Sequence, residues 1–509
     1  MNDLCFAPAV ELARRLRARE LSARELLSAY LDRIGRVNPA INAIVTLAED
    51  QATRQATAAD QAAARGEFTG PLHGLPIAIK DLVETAGIRT TYGSPMFADH
   101  VPETDAPMVT ALKRAGAIII GKTNTPEFGA GSQTFNQVFG ATRNPFDTAL
   151  TPGGSSGGAA AAVAAGLLPF ADGSDLAASV RNPAAMCGLY GLRTTPGTVA
   201  ADPAADDVFD PLGVAGPIAR SAADAALLLA GLRGPNGGHG SGLPLAGAGV
   251  TRTGADGLGA SVGGVAGLRI AWSPDLGGLA VEPEVTRVLE AAREALAQSG
   301  AVITDVPASG PDSLEWLAAA DKVFQVLRGL RMAGSHGSLL AAKRDQMKDT
   351  LIWNTEYGLG LTSSQIAGAL RGRNEIFGRM RKFLRSGGGA SGSYGDGRRG
   401  GPGAGPGFDV LACPTVQVLP FPVEVEWIAE INGERQETYI DWLRTCSRIT
   451  VTAHPAVSVP AGLSRRGLPV GLQLTGPYGS DDRLLAIAGA VGQVTTPNPA
   501  RPFSGNHNV

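Results

Sequence analysis

Near the start of the chain the apolar positions repeat at helical spacing. Leu27, Leu31 and Ile34 share a face, Ser22 and Glu25 form an S-x-x-E capping box, and Leu21 and Leu26 stand as a hydrophobic staple. The pattern predicts a helix with Gly35 as its C-cap. From about residue 75 the texture changes. Ile77-Ala78-Ile79 and Ile118-Ile119-Ile120 are apolar runs of buried-strand length, with helical stretches between them. The alternation returns at Leu268–Trp272, followed by a helix from about Glu284 to Gln298 and an apolar run near Val302. Val410–Cys413, Ala456–Val459 and Val470–Leu474 read as late strands, the last followed by a helix around Asp482–Val491. Strands alternating with helices predict an α/β architecture.

Two stretches break the pattern. Residues 233–266 and 386–407 are rich in Gly, Ala, Ser and Pro and read as mobile surface connections. Between them residues 313–385 are mostly helical in pattern, a candidate cap over a site. With no internal repeat and no linker, the 509 residues read as one large domain. Its parts are an N-terminal helical segment (1–67), a core (68–220), the helical insertion (313–385) and a C-terminal part of the core (406–509).

Charge adds little. Net charge is −3 and no basic patch stands out, which argues against nucleic acid and acidic membrane surfaces. The first residues hold no apolar stretch of signal-peptide length, and no run has the length of a membrane span. Cys5, Cys187, Cys413 and Cys446 are far apart and fit free thiols in a reducing cytoplasm.

The chemistry concentrates in TPGGSSGGAA, residues 151–160. A phosphate cradle of the GxxxxGK[ST] type needs a lysine after its last glycine, and Ala159 is there instead. The G-x-G-x-x-G spacing is absent too, which leaves a structural turn or a loop presenting a serine. Downstream, GSDLAASVR (173–181) carries Ser179 in a second loop of small residues. Upstream, Lys80 closes the strand of GLPIAIKDL (74–82). Such a lysine either reaches solvent at the strand end or is buried, and burial would depress its pKa toward neutrality and make it a base. A lysine base with two serines on small-residue loops supplies the parts of a serine hydrolase that uses no histidine. The six histidines stand in no G-x-S-x-G elbow context, and no closely spaced metal-ligand cluster is present.

Taken together, GPLHGLPIAIKDL, GAIIIGKTNTPEFGAGSQTFNQVFGATRNP, TPGGSSGGAAAAVAAGLLPFADGSD and HPAVSVPAGLSRRGLPVGLQLTGP resemble the amidase signature family over most of the chain. The resemblance implies a single large mixed open β-sheet flanked by helices. It also implies a Ser–cis-Ser–Lys triad, with Lys80 as base, Ser155 as bridging serine after a cis peptide and Ser179 as nucleophile. Ser156, the rival for the bridge, is expected to stabilise the turn. Backbone N–H groups of Leu176, Ala177, Ala178 and Ser179 are implied as the oxyanion hole. Here the chain departs from the family's pattern, since Ala177 and Ala178 stand where two glycines are usual and would be strained if those positions needed positive φ. Asp175 and Arg181 are expected to brace the loop as an ion pair.

In relatives the segment after GKTN lines the acyl pocket, which makes Phe128, Gly129, Ala130 and Gly131 wall residues and Gln133 a polar contact. Such a wall suits an uncharged, aromatic substrate better than a free carboxylate. The expectation is a hydrolase of small neutral amides, anilides or carbamates (urethanes), without metal or organic cofactor. It is expected in the cytoplasm as a monomer or homodimer, with no nucleic-acid or membrane partner. Two other readings remain, a glutaminase component of a tRNA-dependent amidotransferase and an inactive binding protein with the same fold.

Overall fold

The computed structural model describes residues 2–200, 212–233, 262–386, 407–497 and 499–503. Most of the two low-complexity stretches therefore lies outside the described residues. The first long helix, Ala23–Ile41, carries the expected capping box, with Glu25 N–H on the Ser22 hydroxyl and Ser22 N–H on the Glu25 carboxylate. It does not stop at Gly35. Val37 and Ile41 keep burying the same face, so the helix runs on to Asn42, whose left-handed backbone (φ 53°) ends it.

Eight strands form one mixed sheet in the order Val302–Asp305, Arg269–Trp272, Val410–Pro414, Pro469–Thr475, Ala456–Leu463, Tyr190–Arg193, Val214–Ala219, Phe170–Asp175. The first three are mutually parallel and every later pairing is antiparallel. The Ile77 and Ile118 runs form the strands Pro76–Lys80 and Ile118–Thr123, which join Ile44–Leu47 in a separate three-stranded sheet. Helix Gly157–Ala164, GGAAAAVA, packs against strands of both sheets. It is buried on all sides, and its small side chains let strands approach it from several directions. Its N-terminal loop is thereby held where the two sheets meet.

The sequence 313–385 folds as expected into helices, Ala319–Lys343, Asp349–Leu359 and Ser363–Ser386. The first and third pack over a second apolar cluster that includes Phe324, Leu327, Ile376, Met380 and Trp442, and the middle one buries Leu351 in a smaller cluster with Met332 and Leu340. The first two cross where Gly358 meets Gly329. A Cβ at Gly358 would lie 1.8 Å from the Gly329 carbonyl oxygen, so the crossing has no room for a methyl group. No described helix is long and apolar enough to cross a membrane.

This crossing yields a test. Gly358→Ala must push the two helices apart and should lower stability by about 1–3 kcal/mol. Gly368→Ala, in the third helix with nothing within 4 Å, should be neutral or stabilising by up to about 1 kcal/mol. Urea unfolding of both variants separates a packing effect from helix propensity.

Candidate active site

Lys80 is the last residue of its strand and is completely buried. Among the described residues no carboxylate meets its amine. Its Nζ donates instead to three hydroxyls, Ser155 Oγ at 2.7 Å, Ser156 Oγ at 2.8 Å and Ser174 Oγ at 3.0 Å. Burial pulls its pKa down to about 7, against an opposing pull from Asp172 and Asp175. Three acceptors match the three N–H groups of the ammonium. Once neutral, the amine has a lone pair free to accept from one of the same hydroxyls, which rotate to suit. Asp172, raised to about 6 by its own burial, accepts the Lys80 backbone N–H at 3.1 Å.

Ser155 follows a cis peptide bond, Gly154–Ser155, as the resemblance implies. The glycines around it are dictated by space. Gly153 has φ 77°, and a Cβ at Gly158 would lie 2.3 Å from Asn124 N. Ser132 Oγ holds the Gly154 carbonyl at 2.7 Å, and Thr134 Oγ1 holds that of Gly153 at 2.9 Å. Ser156 is not confined to the turn, because its hydroxyl shares Lys80 with Ser155.

Ser179 is 7% exposed and faces the same cavity as Ser155 and Ser174. Its carbonyl accepts the Ser156 N–H at 3.1 Å, which locks the two serine loops together. Among the described residues the Ser155 and Ser179 hydroxyls share no hydrogen bond; both open on the cavity. The loop between Asp175 and Arg181 is tied from inside. Arg181 makes a two-pronged bond to Asp175 and also donates to the Ala177 carbonyl, the Cys446 carbonyl, Gln473 and Thr450. Burial pushes the Asp175 carboxyl up, but Arg181 and Arg193 outweigh it and hold it at about 2. The expected Asp175–Arg181 pair thus exists, with Arg193 as a third member. Neither Ala177 nor Ala178 has positive φ, so the alanines bring no strain there. Among the described residues no acceptor meets the N–H of Leu176, Ala177, Ala178 or Ser179.

The cavity encloses about 710 Å³, room for a drug-sized molecule. Of the expected wall residues, Phe128, Gly129 and Gly131 line it. Phe128 packs on Tyr92, Phe97 and His336, with ring centroids 6.2, 6.0 and 4.7 Å away. Two expected residues do not line it. Ala130 is turned into an apolar cluster with Met332, Leu340, Met347 and Leu351. Gln133 is buried as a structural brace, its amide donating to the Val425 carbonyl at 2.5 Å and its oxygen accepting from Thr151. Helix Ala319–Lys343 adds Arg328, Arg331, Met332, Ser335 and His336 to the lining, and the C-terminal segment adds Tyr439. Sequence reasoning passed these over, although 328, 331, 332, 335 and 336 recur at i, i+3, i+4, i+7 and i+8 and so share one helix face.

The buried triad of Asp175, Arg181 and Arg193 makes its own prediction. Asp175→Asn leaves the two arginines facing each other without a counter-charge. It should cost about 3–5 kcal/mol, read as a fall in the urea midpoint relative to the parent.

Known proteins match this chain in sequence and in fold. A family model for amidases matches residues 25–485. An acylamidase of Rhodococcus erythropolis is 34% identical over 489 residues, covering 96% of this chain and 95% of its own. A glutamyl-tRNA(Gln) amidotransferase component from Acidothermus cellulolyticus is 36% identical over 506 residues, covering 96% and 95%. Among solved structures, a bacterial aryl acylamidase of the amidase signature enzymes superposes with a TM-score of 0.81 at 26% identity, covering 97% of this chain and 96% of that one. A lysine amine on a serine hydroxyl, and a second serine on the same cavity, accompany a match along nearly the whole length: this chain belongs to the amidase family, the amidase signature hydrolases of C–N bonds.

Proposed function

We propose that this protein hydrolyses small amides, anilides or carbamates whose reacting end is uncharged, through an acyl-enzyme on Ser179. The observation that carries the reading is the Lys80 amine, buried, held near pKa 7 and 2.7 Å from Ser155 Oγ, beneath a cavity that Ser179 shares. Neutral Lys80 takes the Ser155 proton as Ser155 takes that of Ser179, and Ser179 Oγ bonds to the carbonyl carbon. The carbonyl π pair moves onto oxygen, where the unengaged N–H groups of Leu176–Ser179 receive it. Collapse breaks the C–N bond, with the proton returned from Lys80 through Ser155 to the leaving nitrogen. Water then adds to the acyl group by the same relay and frees Ser179. The Phe128 wall suits an aryl group, and the acylamidase relatives support that choice.

The similarity to amidotransferase components sustains a second reading, a glutaminase that passes ammonia to a partner. A matched pair, an anilide and the N-aryl carbamate of the same aniline, with glutamine as third substrate and Ser179→Ala as blank, separates the two. Aniline release that the blank loses is the expected result, and the ratio within the pair assigns amide or carbamate preference. Ammonia from glutamine with no aniline from either overturns the aryl reading, and Lys80→Ala with near-normal activity at neutral pH overturns the role of Lys80.

The pH profile follows with its sign. Below about pH 7 Lys80 is an ammonium and accepts no proton, so kcat/KM should rise as pH passes upward through about 7. Asp172, ionised there, holds the Lys80 pKa up. In Asp172→Asn the Oδ1 still accepts the backbone N–H, the charge is gone, and the acid limb should move to lower pH.

A further inference from the structure

The wall that the helical insertion contributes carries a charge with no role in the chemistry above. Arg328 lies on helix Ala319–Lys343, lines the cavity and is 4% exposed. Its Nη2 donates to Tyr439 Oη at 2.7 Å, and its guanidinium carbon lies 5.5 Å from the Tyr439 ring centre. Tyr439 is fixed in turn, its hydroxyl donating to Asn354 Oδ1 at 3.0 Å and its ring meeting Trp353 edge-on at 5.9 Å. Among the described residues nothing else engages the guanidinium. Nε is buried without a partner, no hydrogen bond forms at Nη1, and no described carboxylate pairs with Arg328.

The carboxylates that line the cavity are engaged elsewhere. Asp175 is held by Arg181 and Arg193, Asp105 by Lys113, and Glu84 accepts the Tyr92 hydroxyl. A permanently charged, nearly buried guanidinium with no counter-ion among the described residues is costly unless a ligand supplies one. Its field reaches the other groups of this wall. Burial first, then Arg328 and Arg331, hold His336 down at about 4, so the imidazole between Phe128 and the insertion is neutral. The cavity lining thus combines the hydroxyls and backbone N–H groups about Ser179, the aromatic ring of Phe128 and the guanidinium of Arg328.

We propose that Arg328 is an anion subsite, and that the amides this enzyme takes carry a carboxylate at the end remote from the scissile carbonyl. This deepens the amide-hydrolase reading and rests on it. It assigns the free carboxylate, which the apolar Phe128 wall disfavours, to Arg328 in the same cavity. Tyr439 and Asn354 act as positioning residues that hold the guanidinium fork toward the ligand.

The test uses pairs differing only in charge. Glutaric acid monoanilide is compared with 5-methylhexananilide, and 4-acetamidobenzoate with 4-isopropylacetanilide, so that the carboxylate lies on the acyl side in one pair and the amine side in the other. In at least one pair the acid should have the higher kcat/KM by roughly 10- to 100-fold, carried by KM. That ratio should fall with added salt, collapse toward one in Arg328→Gln and return in part in Arg328→Lys. A wild-type ratio of one or below in both pairs overturns the proposal without needing a folded variant, as does a ratio that Arg328→Gln leaves intact. Failure of the amidase reading shows separately. If no anilide is cleaved, calorimetric binding of the two acids to Ser179→Ala decides. Binding that a further Arg328→Gln change abolishes supports the subsite, and no binding of either acid overturns it.

Discussion

An amine buried beyond the reach of water, with no carboxylate against it, is the constraint around which this structure is arranged. A fully buried lysine is stable only if its hydrogen-bonding capacity is met and its charge is optional. Both conditions are satisfied by hydroxyls. Ser155, Ser156 and Ser174 accept from the ammonium and, by rotating, serve the neutral amine equally. A carboxylate in their place would fix the proton on nitrogen and remove the base. Asp172 is set back on the backbone N–H, close enough to moderate the pKa and too far to form an ion pair with Nζ.

The strand Phe170–Asp175 makes this possible by serving two charge systems at once. Side chains alternate across a strand, so Asp172 and Ser174 point toward Lys80 while Asp175 points away, to Arg181 and Arg193. One face keeps a titratable amine near neutrality; the other locks permanent charges. The locked face matters to the open one, because Arg181 grips the Ala177 carbonyl and so fixes the backbone of the loop that carries Ser179. The two alanines fit because that backbone never enters positive φ, and the conformational freedom of glycine is not needed.

These relations explain what the sequence disclosed and what it withheld. A lysine at a strand end and serines on two small-residue loops were legible in residue type, the choice of Ser155 over Ser156 came through the family resemblance, and the structure sets Lys80 on Ser155, which shares one cavity with Ser179. Strand Phe170–Asp175 was not, since FADGSD is rich in residues that strands avoid and is held by its partner Val214–Ala219 and by the ion pairs. Gly35 read as a helix end for the opposite reason. Local chemistry offered a stop, and burial of Val37 and Ile41 overrode it. Gln133 and Ala130 sit in the right segment, but a chain that turns at Phe128 (φ 47°) and Gly129 (φ 68°) sends only some of its side chains to the cavity. Ser174 and Arg328 reach the site through tertiary packing, which no local window contains.

The division of the cavity also gives a physical reason why one chain can resemble acylamidases and amidotransferase components about equally. Lys80, Ser155 and Ser179, to which the bond-breaking is assigned above, lie at a strand end and on the loops between the two sheets. Other residues that line the cavity lie on helix Ala319–Lys343 and around Tyr439, attached to the core through side chains and not through the sheets. Arg328 is held only by Tyr439 among the described residues, and Tyr439 in turn by Asn354 and Trp353 of the next helix, whose seating depends on the Gly329–Gly358 crossing. Changes there alter what is recognised while leaving Lys80 and its three hydroxyls untouched. Under the subsite proposed above, the choice of substrate rests with the face of helix Ala319–Lys343 that carries Arg328.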